Sequence, residues 1–175
     1  MSQKTGDSFV ALDVETTGLS VFAGDRVIEI GAVLVEKGRI VTEFEQLIHT
    51  LRPISPSAQR VHGIGNRMLQ GKPAPEEVIP RFCQWAGSQP VIAHNARFDL
   101  GFIRQECSRL GLYFPNPYSC TLNDARRHLP GLPNYRLETV ARHLLGELPA
   151  DLTLHRALAD ARLVAQIWLA MKRGV

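Results

Sequence analysis

Residues 9–18 read F-V-A-L-D-V-E-T-T-G, an apolar, β-like run that ends in two acids and a turn signal. Side chains alternate between the two faces of a strand, so Asp13 and Glu15, two residues apart, project from one face. Two carboxylates side by side at the end of a buried strand repel each other, and a divalent cation between them relieves the repulsion. Taken alone, the pair has an equally ordinary reading, because D-x-E falls by chance at roughly one position in 300 of average sequence. Its meaning depends on whether further acids and a base arrive from elsewhere in the chain.

The 175 residues are 45% hydrophobic and 21% charged, as in a globular protein, and the length suits one domain with a sizeable core. No apolar run reaches the 18 or more residues of a membrane helix, and residues 1–8 lack the basic and apolar zones of a signal peptide. The expectation is a cytoplasmic protein with no membrane partner. Cys83, Cys107 and Cys120 are odd in number and widely spaced, without C-x-x-C pairing. They read as reduced thiols, not as a disulfide or zinc framework. The net charge of +3 is uneven: residues 1–90 carry 9 Lys or Arg against 10 Asp or Glu, and residues 91–175 carry 11 against 7. A basic second half suits nucleic acid, and it suits solvated helix faces equally well.

Downstream of the opening strand, residues 26–35 (R-V-I-E-I-G-A-V-L-V) are apolar and β-branched, and Lys37-Gly38 marks a tight turn before residues 40–48. Three strands joined by short turns predict an antiparallel meander. Ser55-Pro56 offers a cap and a first-turn proline for a short helix within the loop-like residues 53–65. Val78, Ile79, Phe82 and Trp85 recur at helical spacing, which predicts a helix over residues 75–85. Residues 90–93 form a short apolar run, and Asn95 is the expected cap of a helix that carries Phe98, Phe102, Ile103 and Leu110. That reading places Asp99 in the first turns of a helix, just past a strand end. Helices are expected over residues 122–129 and 137–145, parted by P-G-L-P-N, and a last one from about residue 155 to 171. No repeat or linker interrupts the chain, so residues 1–175 read as one domain.

His155 and Asp160 are five residues apart, about 140° around a helix, so they meet only if His155 precedes the helix that holds Asp160. With that pair the chain contains F-V-A-L-D-V-E-T-T-G-L, V-I-A-H-N-A-R-F-D-L-G-F-I and H-R-A-L-A-D-A in order. Together these segments resemble the three motifs of the DEDD superfamily of 3′-to-5′ exonucleases, and H-x-x-x-x-D marks the DEDDh subgroup. R-V-I-E-I-G-A-V, V-H-G-I-G and T-L-x-x-A-R-x-x-L-P-G extend the resemblance over nearly the whole chain, toward the proofreading, epsilon-type exonucleases of bacterial DNA polymerase III.

The resemblance implies a ribonuclease H-like α/β fold, a mixed five-stranded sheet flanked by helices. Only four strands are clear in the sequence, and the fifth is expected to be short and to lie near residues 118–121. The implied activity is metal-dependent hydrolysis at the 3′ end of single-stranded or frayed DNA, releasing nucleoside 5′-monophosphates. Asp13, Glu15, Asp99 and Asp160 would be the ligands of two divalent cations. Oxygen donors suit Mg²⁺ or Mn²⁺, whereas zinc would favour His or Cys. His155 would be the general base, a task for which an imidazole is well matched near neutral pH. Thr16, Thr17, Leu19, His62, Ile64 and Phe98 would line the pocket of the terminal nucleotide. Leu19 and Phe98 read equally well as core, and His62 as a loop residue. The same motifs occur in exoribonucleases of the ribonuclease T and oligoribonuclease kind, and a catalytically silent nucleic-acid or polymerase-binding module is the reading from another class. The expected partners are a single-stranded 3′ end, DNA before RNA, and a DNA polymerase or repair protein.

Overall fold

The computed structural model describes residues 8–148 and 154–174. Five strands, β1 (Ser8–Thr16), β2 (Val27–Glu36), β3 (Arg39–Leu47), β4 (Val91–Ala93) and β5 (Tyr118–Cys120), form one sheet in the order β3-β2-β1-β4-β5. The first three make the expected antiparallel meander, and β4 and β5 add to it in parallel. The fifth strand lies where the sequence placed it. Among the described residues seven α-helices accompany the sheet, α1 (Pro56–His62), α2 (Asn66–Leu69), α3 (Pro75–Ala86), α4 (Ala96–Arg109), α5 (Thr121–His128), α6 (Leu137–Leu145) and α7 (Ala157–Lys172), with a single 3-10 turn at Val21–Ala23. Among the described residues no helix is long and apolar enough to cross a membrane. The expectation about a signal peptide falls on residues 1–7, outside the described ones, apart from Ser8.

The central position of β1 explains its unbroken apolar run. Val10, Leu12 and Val14 pack on one face against Val78, Ile79 and Phe82 of α3 and Leu100 and Ile103 of α4. Phe9 and Ala11 pack on the other face against Leu158, Val164, Ala165 and Trp168 of α7. Alternation carries the second set on to Asp13 and Glu15, so both acids point to the side that α7 covers. Burying the large side chains of this core, at about 25 cal/mol per Å² of apolar surface, is what fixes the strand's register.

One glycine sets how close α7 comes. A Cβ on Gly31, the β2 partner of Asp13, would lie 2.0 Å from the carbonyl carbon of Ala157 and from the nitrogen of Leu158. The first turn of α7 therefore rests directly on the backbone of β2, beside the end of β1.

Two local expectations are corrected, and one short helix is added. Asn95 is left-handed (φ 72°) and its side chain makes no cap hydrogen bond to α4, so it serves as the bend between β4 and the helix. Asparagine tolerates that conformation because its short polar side chain adds little steric cost there. The short helix α2, which no periodicity announced, is only four residues long and buries Leu69. The last helix begins at Ala157, later than residue 155, because His155 is itself left-handed (φ 61°) and cannot continue a helical turn.

Candidate active site

At the end of β1 the sheet opens. The β4 ladder covers only Val10 and Ala11, and beyond it the Val14 N–H donates to Asp99 Oδ1 at 3.2 Å. Asp99, in the first turn of α4 and buried, thereby meets the strand between the two acids. Asp160, in the first turn of α7, arrives from the other side. One carboxylate oxygen from each of Asp13, Glu15 and Asp160 lies within 4.8 Å of the others. Segments far apart in sequence thus bring four acids to one place.

The electrostatics of this cluster are lopsided. Burial, then the charges of Asp99, Glu15 and Asp160, hold the Asp13 carboxyl well above its ordinary range. Burial and the neighbouring Asp160 and Glu29 raise Glu15 to about 9, with Arg156 opposing. Asp99 is pushed up to about 7, chiefly by burial and against two backbone hydrogen bonds. Asp160 rises to about 6, again by burial, with His155 pulling the other way. All four move in the direction expected of carboxylates that share a site without enough positive charge. Asp160 Oδ1 is buried and has no hydrogen-bond partner among the described residues. An orphaned carboxylate oxygen beside three more acids fits a hard divalent cation, and the all-oxygen donor set fits Mg²⁺ or Mn²⁺.

His155 stands before α7, as the five-residue spacing requires, and it is exposed. Its own N–H donates to Asp160 Oδ2 at 3.1 Å, so the left-handed backbone at this residue folds the loop back over the acid. A non-glycine residue held at positive φ costs of order 1–3 kcal/mol and persists where surrounding contacts enforce it.

The contacts that do so were not legible in sequence. Glu29 of β2 is fully buried and accepts from Arg156 Nη2 at 2.6 Å, from Arg156 Nε at 3.2 Å and from the Ala157 N–H at 3.1 Å. A carboxylate at the first N–H groups of α7, tied to the residue just before the helix, locks the lead-in of that helix to the sheet. The available signal was a charged residue at a buried position of the apolar run V-I-E-I-G-A-V.

The residues expected at the terminal nucleotide lie around the turn after β1, with unequal surface to offer. Leu19 is 81% exposed. Phe98 is half-buried, packs against Phe102 in a tilted pair with ring centres 4.9 Å apart, and lines a cavity of about 150 Å³ with Leu19, Phe22 and Arg97. Thr16 and Thr17 are buried. Thr16 Oγ1 donates to the Gly18 carbonyl at 2.6 Å, and Thr17 Oγ1 accepts from the Arg26 N–H at 3.0 Å. His62 Nδ1 accepts from the Ile64 N–H at 3.0 Å, which leaves Nε2 to donate to the Thr16 carbonyl at 3.3 Å. Burial lowers the pKa of this ring, consistent with a neutral imidazole. Ile64 is fully buried beside Ile28, Ile54 and Leu69. These four residues shape the turn from within, and Leu19 and Phe98 present surface.

Residues 10–168 match the exonuclease family model RNase_T. The chain belongs to this exonuclease family. Over 163 residues it is 37% identical to the DNA polymerase III subunit epsilon of Aquifex aeolicus, spanning 93% of this chain and 79% of that protein. It is 39% identical to a PolC-type DNA polymerase III of Caldanaerobacter subterraneus subsp. tengcongensis, over 93% of this chain and 11% of that protein. The chain therefore spans about a tenth of the PolC-type polymerases it matches. Among exonuclease structures, exonuclease X in complex with 5′-overhanging duplex DNA superposes with a TM-score of 0.74 at 33% identity, covering 95% of this chain and 92% of that one. The Escherichia coli ExoI–ssDNA complex superposes at 0.82 with 18% identity over 96% of this chain and 41% of that one, which shows the shared fold.

Proposed function

We infer that this chain is a divalent-metal-dependent 3′-to-5′ exonuclease acting on single-stranded or frayed DNA ends as one domain over residues 1–175. The observation that carries the reading is the convergence of Asp13, Glu15 and Asp160 within 4.8 Å, with Asp99 on the adjoining backbone. These four would hold two divalent cations, Mg²⁺ or Mn²⁺, which when bound activate a water and offset charge on the phosphate. DNA is favoured over RNA because the relatives include DNA polymerase III proteins and an exonuclease in complex with DNA.

The residues of the chain divide the remaining work. The attacking water's oxygen forms a bond to the terminal phosphorus, and the bond from phosphorus to the 3′ oxygen of the preceding nucleotide breaks. His155 takes the proton of the water, and its exposed place above Asp160 allows the ring to approach the phosphate and then return the proton to solvent. Leu19 and Phe98 flank the base being released, Phe98 as a stacking surface that tolerates any base. Thr16, Thr17, His62 and Ile64 hold the turn on which that pocket is built. The departing 3′ oxygen takes a proton from solvent, so the products are a nucleoside 5′-monophosphate and a strand one unit shorter with a new 3′ hydroxyl. A polymerase or repair protein is the partner that such an activity serves, and the cytoplasm is where it would meet DNA.

A time course on matched 5′-labelled and 3′-labelled single-stranded DNA and RNA, with Mg²⁺, Mn²⁺ or EDTA, tests the reading. Stepwise shortening of the 5′-labelled DNA, immediate release of the 3′ label and silence in EDTA are expected. Shortening from the 5′ end, or no cleavage of any strand with either metal, would overturn it, and faster loss of RNA would reassign the substrate.

A further inference from the structure

A second cavity, of about 570 Å³, opens onto His155 and Asp160, and Phe98 is not among the residues that line it. It is bounded by the end of α1, the start of α6 and the lead-in to α7, and its walls carry Arg60, Val61, Arg136 and Leu137. Arg60 and Arg136 are exposed, as is Val61 at 56%. The space is large enough for a nucleotide unit, and its lining pairs apolar surface with two guanidinium groups.

Place and charge together mark these two arginines: of the arginines without an acid partner among the described residues, they are the ones that line this cavity. Arg26, Arg52, Arg109, Arg142, Arg156 and Arg162 are each paired with a carboxylate, and Arg104 donates to the carbonyls of Phe114 and Asn116. Neither Arg60 nor Arg136 pairs with an acid among the described residues. Glu138, the acid on the cavity wall outside the catalytic cluster, is taken up by Arg142 Nη2 at 2.9 Å and Nε at 3.1 Å. The wall therefore faces its cavity with two guanidinium groups whose charge no acid among the described residues takes up. Such an arrangement, adjoining a cluster of acids that would itself repel a polyanion, supplies the attraction that a phosphate chain needs to approach.

We propose that Arg60 and Arg136 form a phosphate clamp that holds the sugar-phosphate backbone of the bound strand on the His155 side of the site, with Val61 and Leu137 against its sugars. The clamp rests on the exonuclease reading for its ligand, a single-stranded nucleic acid, and it acts on binding, not on the bond that breaks. Guanidinium groups in fork geometry suit phosphate oxygens, and a clamp of this kind is indifferent to sequence.

Binding is measured apart from catalysis, by fluorescence anisotropy of a 5′-labelled single-stranded 12-mer in EDTA across a salt series. The proteins are the wild type, Arg60→Ala, Arg136→Ala, the double variant and Arg81→Ala, the last removing an exposed arginine from α3. Each clamp variant is expected to weaken binding on the order of tenfold at low salt and to reduce the slope of log Kd against log salt by about 0.7, the counterion release of one phosphate contact. Arg81→Ala should follow the wild type. Arg136→Lys should recover part of the affinity, since lysine keeps the charge and loses the fork. Equal melting temperatures across the set show that the variants fold. Unchanged affinity and salt slope in the double variant would overturn the clamp, as would a loss matched by Arg81→Ala. A separate assay of hydrolysis of the p-nitrophenyl ester of thymidine 5′-monophosphate with Mn²⁺ tests the catalytic reading. A wild type that binds the 12-mer through the arginines and leaves this ester and every strand intact would sink the exonuclease reading and leave the clamp standing.

Discussion

Glu15 and Glu29 face each other across adjacent strands, and the contrast between them separates the two halves of the site. Glu29 is fully buried and answered: a guanidinium and a backbone N–H converge on its carboxylate. Glu15 meets Asp160, Glu29 and Asp99, and among the described residues Arg156 pulls against them. One carboxylate is therefore a fastener, complete within the fold. The other belongs to a group that the fold leaves unbalanced, which is how a cation site differs from a buried ion pair.

Replacing an unbalanced acid and an answered one should have opposite effects on stability. Asp13→Asn should lower exonuclease activity on the order of 10³-fold or more, because a cation ligand is lost, while the melting temperature in EDTA holds or rises as repulsion is relieved. A fall in both would place Asp13 on the fastener's side of the comparison. His155→Ala should cost about 10²- to 10⁴-fold in rate, the range for a general base, and should leave Mn²⁺ affinity, read by calorimetry, nearly intact. Near-full activity would remove His155 from the mechanism.

Glu29→Ala should destabilise the protein by about 3 kcal/mol in urea unfolding, toward the low end for breaking a buried pair because Arg156 keeps some access to water and to Glu45. Its activity should fall less than that of Asp13→Asn. Unchanged stability would show that the clamp at α7 is incidental.

The smallest effect is on pH. Folding raises the pKa of Asp160 to about 6, Asp99 to about 7 and Glu15 to about 9, so the metal-free fold favours their neutral forms. Their contribution is present in full near pH 4 and is lost as pH rises through those values. The melting temperature in EDTA should decline between pH 5 and pH 9, and added Mg²⁺ should flatten the decline by supplying the missing charge. A flat profile in EDTA would contradict the imbalance.

Much of this arrangement was legible in the sequence for simple reasons. Period-two geometry alone sets Asp13 and Glu15 on one face, and the five-residue gap lets His155 meet Asp160 only from outside the helix that holds it. The parallel pair β4 and β5 was harder, since three-residue strands carry almost no periodic signal. The role of Glu29 escaped because its partner lies 127 residues away, and strand alternation does not say which charged residue will be buried. The same limit applies to Arg60 and Arg136. Neighbouring residues in the chain do not distinguish them from other arginines, and only packing brings α1 and α6 to one cavity. Thr16, Thr17, His62 and Ile64 were reached through family resemblance, and their inward hydrogen bonds and burial are properties of the folded turn.

The clamp between Glu29 and Arg156 also bears on how the protein is made. A ribosome releases β1, β2 and β3 first, and the meander can form with Asp13 and Glu15 in place while Arg156 and Asp160 are still unsynthesised. Until α7 docks on Gly31, Asp160 and His155 are held away from the end of β1. A domain that folds in this order gains Asp160 and His155 beside Asp13 and Glu15 only in the step that brings α7 onto the sheet.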